Sequence, residues 1–173
     1  MPQSATKSEP ASILAIVLFV VYALLLVGII LFKFPFQYEL TKSGRELNLI
    51  PFAGSFADHR GFGTGDIISN VLIFLPLGVY LSMFRARWSL AKRLLIVAAT
   101  SVAFEAIQFA FGIGRSDITD VLCNTAGGLI GIGIYAVSAR LLGIRTNRVL
   151  TIVALVVTVL ALAFFTFLRL HSK

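Results

Sequence analysis

Five long apolar runs separated by polar connections constrain this chain more than any other feature of its sequence. They lie at about residues 11–32, 66–84, 94–111, 120–142 and 149–168. A helix of about 20 apolar residues spans the roughly 30 Å of hydrocarbon in a bilayer. The chain is only 13% charged, whereas about a quarter of the residues in a soluble domain are charged. The sequence therefore predicts an all-α polytopic membrane bundle of about five transmembrane helices.

The ends of the chain set the limits of the predicted membrane domain. Residues 1–10 are predicted to form a cytoplasmic tail, residues 11–168 the membrane domain, and residues 169–173 an extracytoplasmic tail. A cleaved signal peptide is the alternative for the first run, but its apolar core would be only about 7–15 residues long. The first run is longer and leads to the bulky Phe34, which favours a retained helix.

A polar stretch at residues 33–65 separates the first two runs and contains one apolar island. The island, NLIPFAGSF at residues 48–56, is too short to cross a membrane, and Pro51 and Gly54 interrupt it. Its aromatic side chains suit the headgroup region of a bilayer. We therefore predict a short interfacial or re-entrant segment between the first and second helices.

The basic character of the chain is better explained by membrane topology than by nucleic-acid binding. The net charge is +7 and the pI is about 10.1, but the basic residues lie mostly in short loops, where Lys and Arg mark the cytoplasmic side. We expect no nucleic-acid partner. His59 and His171 have no partners at ligand spacing, so no metal or other cofactor is expected. The single cysteine, Cys123, excludes an intrachain disulfide.

Two purely basic loops predict the orientation of the bundle. The loops after the second and fourth runs carry Arg85, Arg87, Lys92 and Arg93, and Arg140, Arg145 and Arg148, respectively. Neither loop contains an acidic residue. With five crossings, both loops lie on the same side as the N-terminus, which the positive-inside rule assigns to the cytoplasm.

Eight polar residues interrupt or border the three middle runs, and the predicted threading brings them to one end of the bundle. They are Asp66, Asn70, Glu105, Gln108, Arg115, Asp117, Asp120 and Asn124. Six of them form pairs three or four residues apart, so that each pair shares one helix face. A charged side chain in hydrocarbon costs about 2.5–3.5 kcal/mol and therefore has a partner, water or a function. The sequence predicts a polar pocket on the outer side of the membrane.

Two interpretations of this cluster compete. In the structural interpretation, Arg115 pairs with an acid, the amides bond between helices for about 0.6–2 kcal/mol each, and Asp117 and Asp120 cap the fourth helix. In the functional interpretation, the acids and Arg115 face a cavity that binds a ligand. We favour function for the cluster as a whole and capping for Asp120 taken alone.

Four motifs follow one another over about residues 45–135. They are NLIPF (residues 48–52), NVLIFLPLG (residues 70–78), the pair Glu105 and Gln108, and GRSDITDVLCNTAGGLIG (residues 114–131). Through these motifs the chain resembles the VanZ-like family of bacterial integral membrane proteins. The namesake of that family is associated with resistance to glycopeptide antibiotics, teicoplanin in particular. The resemblance implies a location in the bacterial inner membrane and a role at the cell envelope, but no particular reaction.

Three functions are compatible with these features. The first is a non-enzymatic protein that binds an envelope lipid or glycopeptide-related ligand through Asn70, Glu105, Gln108, Arg115, Asp117, Asp120 and Asn124. The second is a membrane enzyme that modifies a lipid or lipid-linked sugar, with Glu105 as acid or base and a divalent cation on Asp117 and Asp120. The lack of a Ser/His or Cys/His pairing disfavours it. The third, a transporter, lacks evident inverted repeats. Membrane lipids are expected partners, and the oligomeric state stays open.

Overall fold

Five long helices make up most of the structure, a computed structural model that describes residues 12–32, 46–52, 64–112 and 115–171. The order of elements is α1 (Ile13–Phe32), β1 (Glu46–Asn48), α2 (Thr64–Phe84), α3 (Leu90–Phe111), β2 (Arg115–Asp117), α4 (Ile118–Leu142), a 3-10 turn (Gly143–Arg145) and α5 (Thr146–His171). The predicted all-α membrane bundle is confirmed. The two short strands, which pair in parallel, were not predicted.

Four stretches of the described residues are long and apolar enough to cross a membrane. They are Ile13–Ile30, Gly65–Phe84, Leu90–Phe111 and Ile118–Leu168. The last stretch includes both α4 and α5, so the number of about five crossings stays a prediction. The predicted tail at residues 1–10 lies outside the described residues, as does the part of the predicted interfacial segment after Phe52.

Local signals fix both ends of α3. The helix begins at Leu90, four residues before the predicted start, because the Ser89 side chain accepts a hydrogen bond from the backbone N–H of Lys92. It ends at Phe111, because the following Gly112 has a φ of 66°, the left-handed conformation that glycine adopts without a steric penalty. The Gly112 N–H donates to the carbonyl oxygens of Gln108 and Phe109 and so satisfies the last turn.

Helices α2 and α4 pack with their backbones in close contact. A Cβ atom added at Gly127 would meet the backbone oxygen of Val71, and one added at Gly131 would meet that of Leu75. On the facing helix, a Cβ at Gly78 would meet the backbone oxygen of Gly128. The predicted role of the Gly127-x-x-x-Gly131 spacing, which lets another helix approach closely, is confirmed, and the partner is α2.

Two apolar clusters show which helix ends lie together. The first contains Ala15, Leu18, Tyr80, Met83 and Tyr135, and the second contains Leu26, Phe74, Leu77, Val97 and Phe104. The start of α1 therefore shares one end of the bundle with the ends of α2 and α4. The end of α1 points the opposite way, toward the start of α2 and the end of α3. Consecutive helices in this part of the bundle therefore run in opposite directions.

Helix α5 is attached mainly through its first turns. The Thr146 hydroxyl donates to the carbonyl oxygen of Ser138, and the Tyr135 hydroxyl donates to Oδ1 of Asn147 at 3.3 Å. Leu150 and Ala154 pack against the cluster that contains Ala15. Most of the later side chains of α5 are apolar and exposed, as expected for a helix that faces lipid.

The close contact between α2 and α4 predicts opposite outcomes for two glycines of the same helix. We expect Gly131→Ala to lower the free energy of unfolding by about 1–3 kcal/mol, because the new methyl group would push the backbones apart. Gly133→Ala is the matched control, since no atom from another part of the described residues lies within 4 Å of an added Cβ there. Reversible unfolding of the purified protein in mixed micelles measures both. Equal losses for the two variants would contradict the described packing.

Candidate functional site

The two short strands bring distant motifs together at one end of the bundle. Their register pairs Glu46 with Arg115, Leu47 with Ser116, and Asn48 with Asp117. The NLIPF motif thereby lies beside the segment that leads into α4. Residues 46–52 are thus held against the end of α3 and the start of α4.

Asp117 is the centre of a hydrogen-bonded group that we call the polar junction: Asn48, Glu105, Ser116, Asp117 and Thr119. Asp117 Oδ2 accepts from Asn48 Nδ2 at 2.7 Å, and Oδ1 accepts from the Thr119 N–H at 2.8 Å. Its own N–H donates to Glu105 Oε2 at 2.9 Å. The Asp117 side chain is 2% exposed. A buried carboxylate requires this degree of hydrogen bonding, because an unpaired charge would be strongly disfavoured.

The remaining contacts of the polar junction attach it to α3 and to the segment at residues 46–52. The Ser116 hydroxyl donates to the backbone oxygen of Glu105 at 2.8 Å. Thr119 Oγ1 accepts from the N–H of Phe52 at 3.0 Å, and the φ of Phe52 is 58°, which is uncommon for a bulky residue. The polar junction therefore joins α3, α4 and the segment at residues 46–52.

The structure corrects the assignment of the α4 cap. Asp117 is the N-cap residue, because its side chain accepts from the Thr119 N–H. Asp120 lies in the first turn instead, and its Oδ1 accepts from Asn70 Nδ2 at 2.6 Å. Capping by Asp120, which we favoured from the sequence, is therefore wrong. Sequence alone could not separate the two, because an acid is favourable at either position.

The Asn70–Asp120 contact joins α2 to α4 at the same end as the polar junction. Both side chains are half-buried. Asp66 lies one turn earlier, in the first turn of α2, and is also half-buried. The acids of the three middle helices therefore lie at one end of the bundle.

Gln108 and Asn124 make contacts outside the polar junction. Gln108 is buried, and its Nε2 donates to the backbone oxygen of Ile30 at 3.0 Å, so it fixes the end of α1. Asn124 lies one turn deeper in α4 than Asp120, and its Nδ2 donates to Ser101 Oγ at 2.8 Å. Asn124 Oδ1 is buried and has no hydrogen-bond partner in the part of the chain that the structure describes.

Arg115 supplies the positive charge of the predicted set. Its backbone lies in β2, opposite Glu46 and directly before Ser116. The backbone of Arg115 is therefore at the polar end. Across the described ranges, no group of three or more His, Cys, Asp or Glu side chains is arranged to hold a metal ion.

Four contributors to this end of the molecule were not among the predicted site residues: Asn48, Ser101, Ser116 and Thr119. Asn48 was noticed as part of the apolar island and of the NLIPF motif, but not as a site residue. Ser101 lies four residues before Glu105 and seven before Gln108, so helical spacing alone places it on their face. Ser116 and Thr119 lie in the motif at residues 114–131, but their roles were not predictable, because the Thr119 hydroxyl contacts a segment 67 residues away in the chain.

The matched sequences decide the family. A sequence model of the VanZ/LLP1 family matches residues 19–142, well over half of the chain. The chain belongs to the VanZ/LLP1 family. Protein VanZ of Enterococcus faecium is 34% identical over 161 residues, which cover 89% of this chain and 94% of that relative. No solved structure gives a significant match. The resemblance inferred from the motifs is confirmed.

The family match has a clear structural boundary. It begins within α1 and ends with the last residue of α4, so it includes the polar junction and the contact between α2 and α4. Helix α5 lies outside it. Together with the four apolar stretches, family membership makes this chain a multi-pass membrane protein.

The bond between Asn48 and Asp117 can be tested by a double-mutant cycle. We expect Asn48→Ala and Asp117→Ala to couple by about 1.5–3 kcal/mol, because a neutral donor contacts a charged acceptor. The control cycle combines Asn48→Ala with Asp120→Ala and should give about 0.5 kcal/mol or less, since Asp120 contacts α2. Unfolding free energies in detergent measure both. Equal coupling in the two cycles would contradict the geometry.

Proposed function

We propose that this chain is an integral protein of the bacterial inner membrane that binds an envelope lipid or a glycopeptide-related ligand at its outer face. In this proposal the N-terminus is cytoplasmic, the polar end of the bundle faces outward, and ligand binding is linked to glycopeptide resistance. Family membership supports the envelope role. The basic loops at the opposite end support the orientation.

The observation that carries the proposal is the position of the acids in the bundle. Glu105, Asp117 and Asp120 come from two helices and the strand between them, and each takes part in hydrogen bonding at the same end. An apolar residue in place of each of these acids would pack without the cost of removing a charge from water. Ionisable residues at membrane depth generally mark a binding or transport site.

The proposed ligand-binding residues divide into supporting and contacting groups. The donors of Asn70, Gln108 and Asn124 each bond to another part of the protein, and Asp117 is almost fully buried. These four residues maintain the shape of the site. We assign the direct contacts to Arg115, Glu105 and Asp120.

Arg115 is the group that selects the class of ligand. A guanidinium forms two parallel hydrogen bonds with a phosphate or carboxylate, which provides both strength and orientation. Lipid-linked cell-wall precursors carry phosphates, and glycopeptides carry a carboxylate. Glu105 and Asp120 would accept hydrogen bonds from the hydroxyl and amide groups of such ligands.

Direct binding to the purified protein tests the proposal. We expect Arg115→Ala to weaken binding of a lipid-linked precursor or of teicoplanin about tenfold, the loss of one charge-assisted contact. Arg140→Ala is the matched control, since Arg140 lies exposed in the last turn of α4. Absence of binding to the wild-type protein, or equal losses in the two variants, would refute the proposed site. Unfolding temperatures exclude a general folding defect.

A cellular measurement tests the link to resistance. Expression of the wild-type chain in a susceptible Gram-positive host should raise the inhibitory concentration of teicoplanin. The Arg115→Ala variant should give a smaller increase at equal membrane abundance, because its ligand contact is lost. An equal increase with the two proteins would show that resistance does not depend on the proposed contact of Arg115.

A further inference from the structure

A half-buried arginine lies at the basic end of the bundle, opposite the polar junction. Arg93 is in the first turns of α3, and its Nη1 donates to Ser82 Oγ of α2 at 2.9 Å. Ser82 is fully buried and in turn donates to the backbone oxygen of Gly78. Arg93 Nε is also buried, but it has no hydrogen-bond partner among the described residues.

No acid of the described residues can reach Arg93. Glu105 is twelve residues further along the same helix, about 18 Å along the axis at 1.5 Å per residue. Asp117 bonds to Glu105, Asp120 bonds to Asn70, and the backbone of Glu46 pairs with that of Arg115, so all three lie at that far end. Asp66 precedes Ser82 by sixteen residues of α2, about 24 Å along the axis. A half-buried guanidinium with no carboxylate in reach is stabilised by an external anion.

The surroundings of Arg93 have the character of a membrane interface. Trp88 is half-buried and contacts two cations, with Lys92 Nζ 4.2 Å and Arg85 Cζ 5.4 Å from its ring centroid. Tryptophan is enriched at the level of lipid headgroups. On α3, Leu90 is 51% exposed and Leu95 is 69% exposed. Positive charge and exposed apolar surface therefore adjoin each other here.

We propose that Arg93, with Lys92 and Arg85, binds the phosphate of an anionic phospholipid at the basic end of the bundle. The phosphate supplies the counter-charge that the described protein lacks, and it contacts the exposed part of the half-buried Arg93 side chain. Ser82 orients the guanidinium through Nη1. The acyl chains lie along Leu90 and Leu95. A soluble phosphate would have the same polar contacts but would leave this apolar surface without a partner.

Binding to the full-length protein in detergent tests this site. The probes are short-chain phosphatidylglycerol, phosphatidylcholine with the same acyl chains, and inorganic phosphate. We expect phosphatidylglycerol to bind about tenfold more tightly than either of the other two, because it combines net negative charge with acyl chains. Equal affinity for the two lipids would overturn the proposal. Inorganic phosphate binding as tightly as phosphatidylglycerol would overturn the assignment to a lipid.

Variants separate this site from a diffuse attraction to positive charge. Arg93→Gln should abolish the preference for phosphatidylglycerol, whereas Arg140→Gln, which removes the same charge from α4, should change the affinity less than twofold. Equal losses in the two variants would overturn the proposal. Ser82→Ala keeps every charge and should weaken binding about threefold, because it releases Nη1. If Arg93→Gln fails to fold, Ser82→Ala provides the test instead. An unchanged affinity of Ser82→Ala for phosphatidylglycerol would overturn the proposed site.

Discussion

The close approach of α2 and α4 at Gly78, Gly127 and Gly131 determines where the polar side chains of the bundle can meet. Because no side chain separates the two backbones there, Asn70 of α2 reaches Asp120 of α4 at 2.6 Å. Dispersion forces and small residues replace the hydrophobic effect as the basis of helix association in a membrane. The same contact also supports the basic end, since Gly78 accepts the hydrogen bond from Ser82, which holds Arg93.

Asp117 organises the polar end in a different way. It caps α4, accepts from Asn48 of the strand before α2, and donates its N–H to Glu105 of α3. A single buried residue thus joins three segments, through its carboxylate to Asn48 and α4 and through its backbone N–H to α3. Polar residues in membrane bundles are often assigned either to packing or to function. Here the hydrogen bonds of Asn48, Asp117 and Thr119 hold together the end of the bundle at which we propose that a ligand binds.

Sequence reasoning succeeded where one physical rule dominated. The length and apolarity of the runs predicted the helices, the spacing of Gly127 and Gly131 predicted a close helix contact, and the four motifs predicted the family. It failed for the α4 cap, because an acid is favourable both at the N-cap, where Asp117 lies, and in the first turn, where Asp120 lies. It also missed the pairing of β1 with β2, because three-residue strands carry no periodicity and their contact depends on the tertiary arrangement of the helices.

The parallel pairing of β1 with β2 also constrains the order of assembly. Asn48 and Asp117 are 69 residues apart, and α2 and α3 lie between them. During synthesis, residues 46–52 emerge well before their partner, so they must wait until α4 has begun to form. Contacts between such distant residues form late, because a long loop must close first. The polar junction therefore cannot form before the start of α4 has been synthesised, and an arrest of translation within α3 would leave it without Asp117.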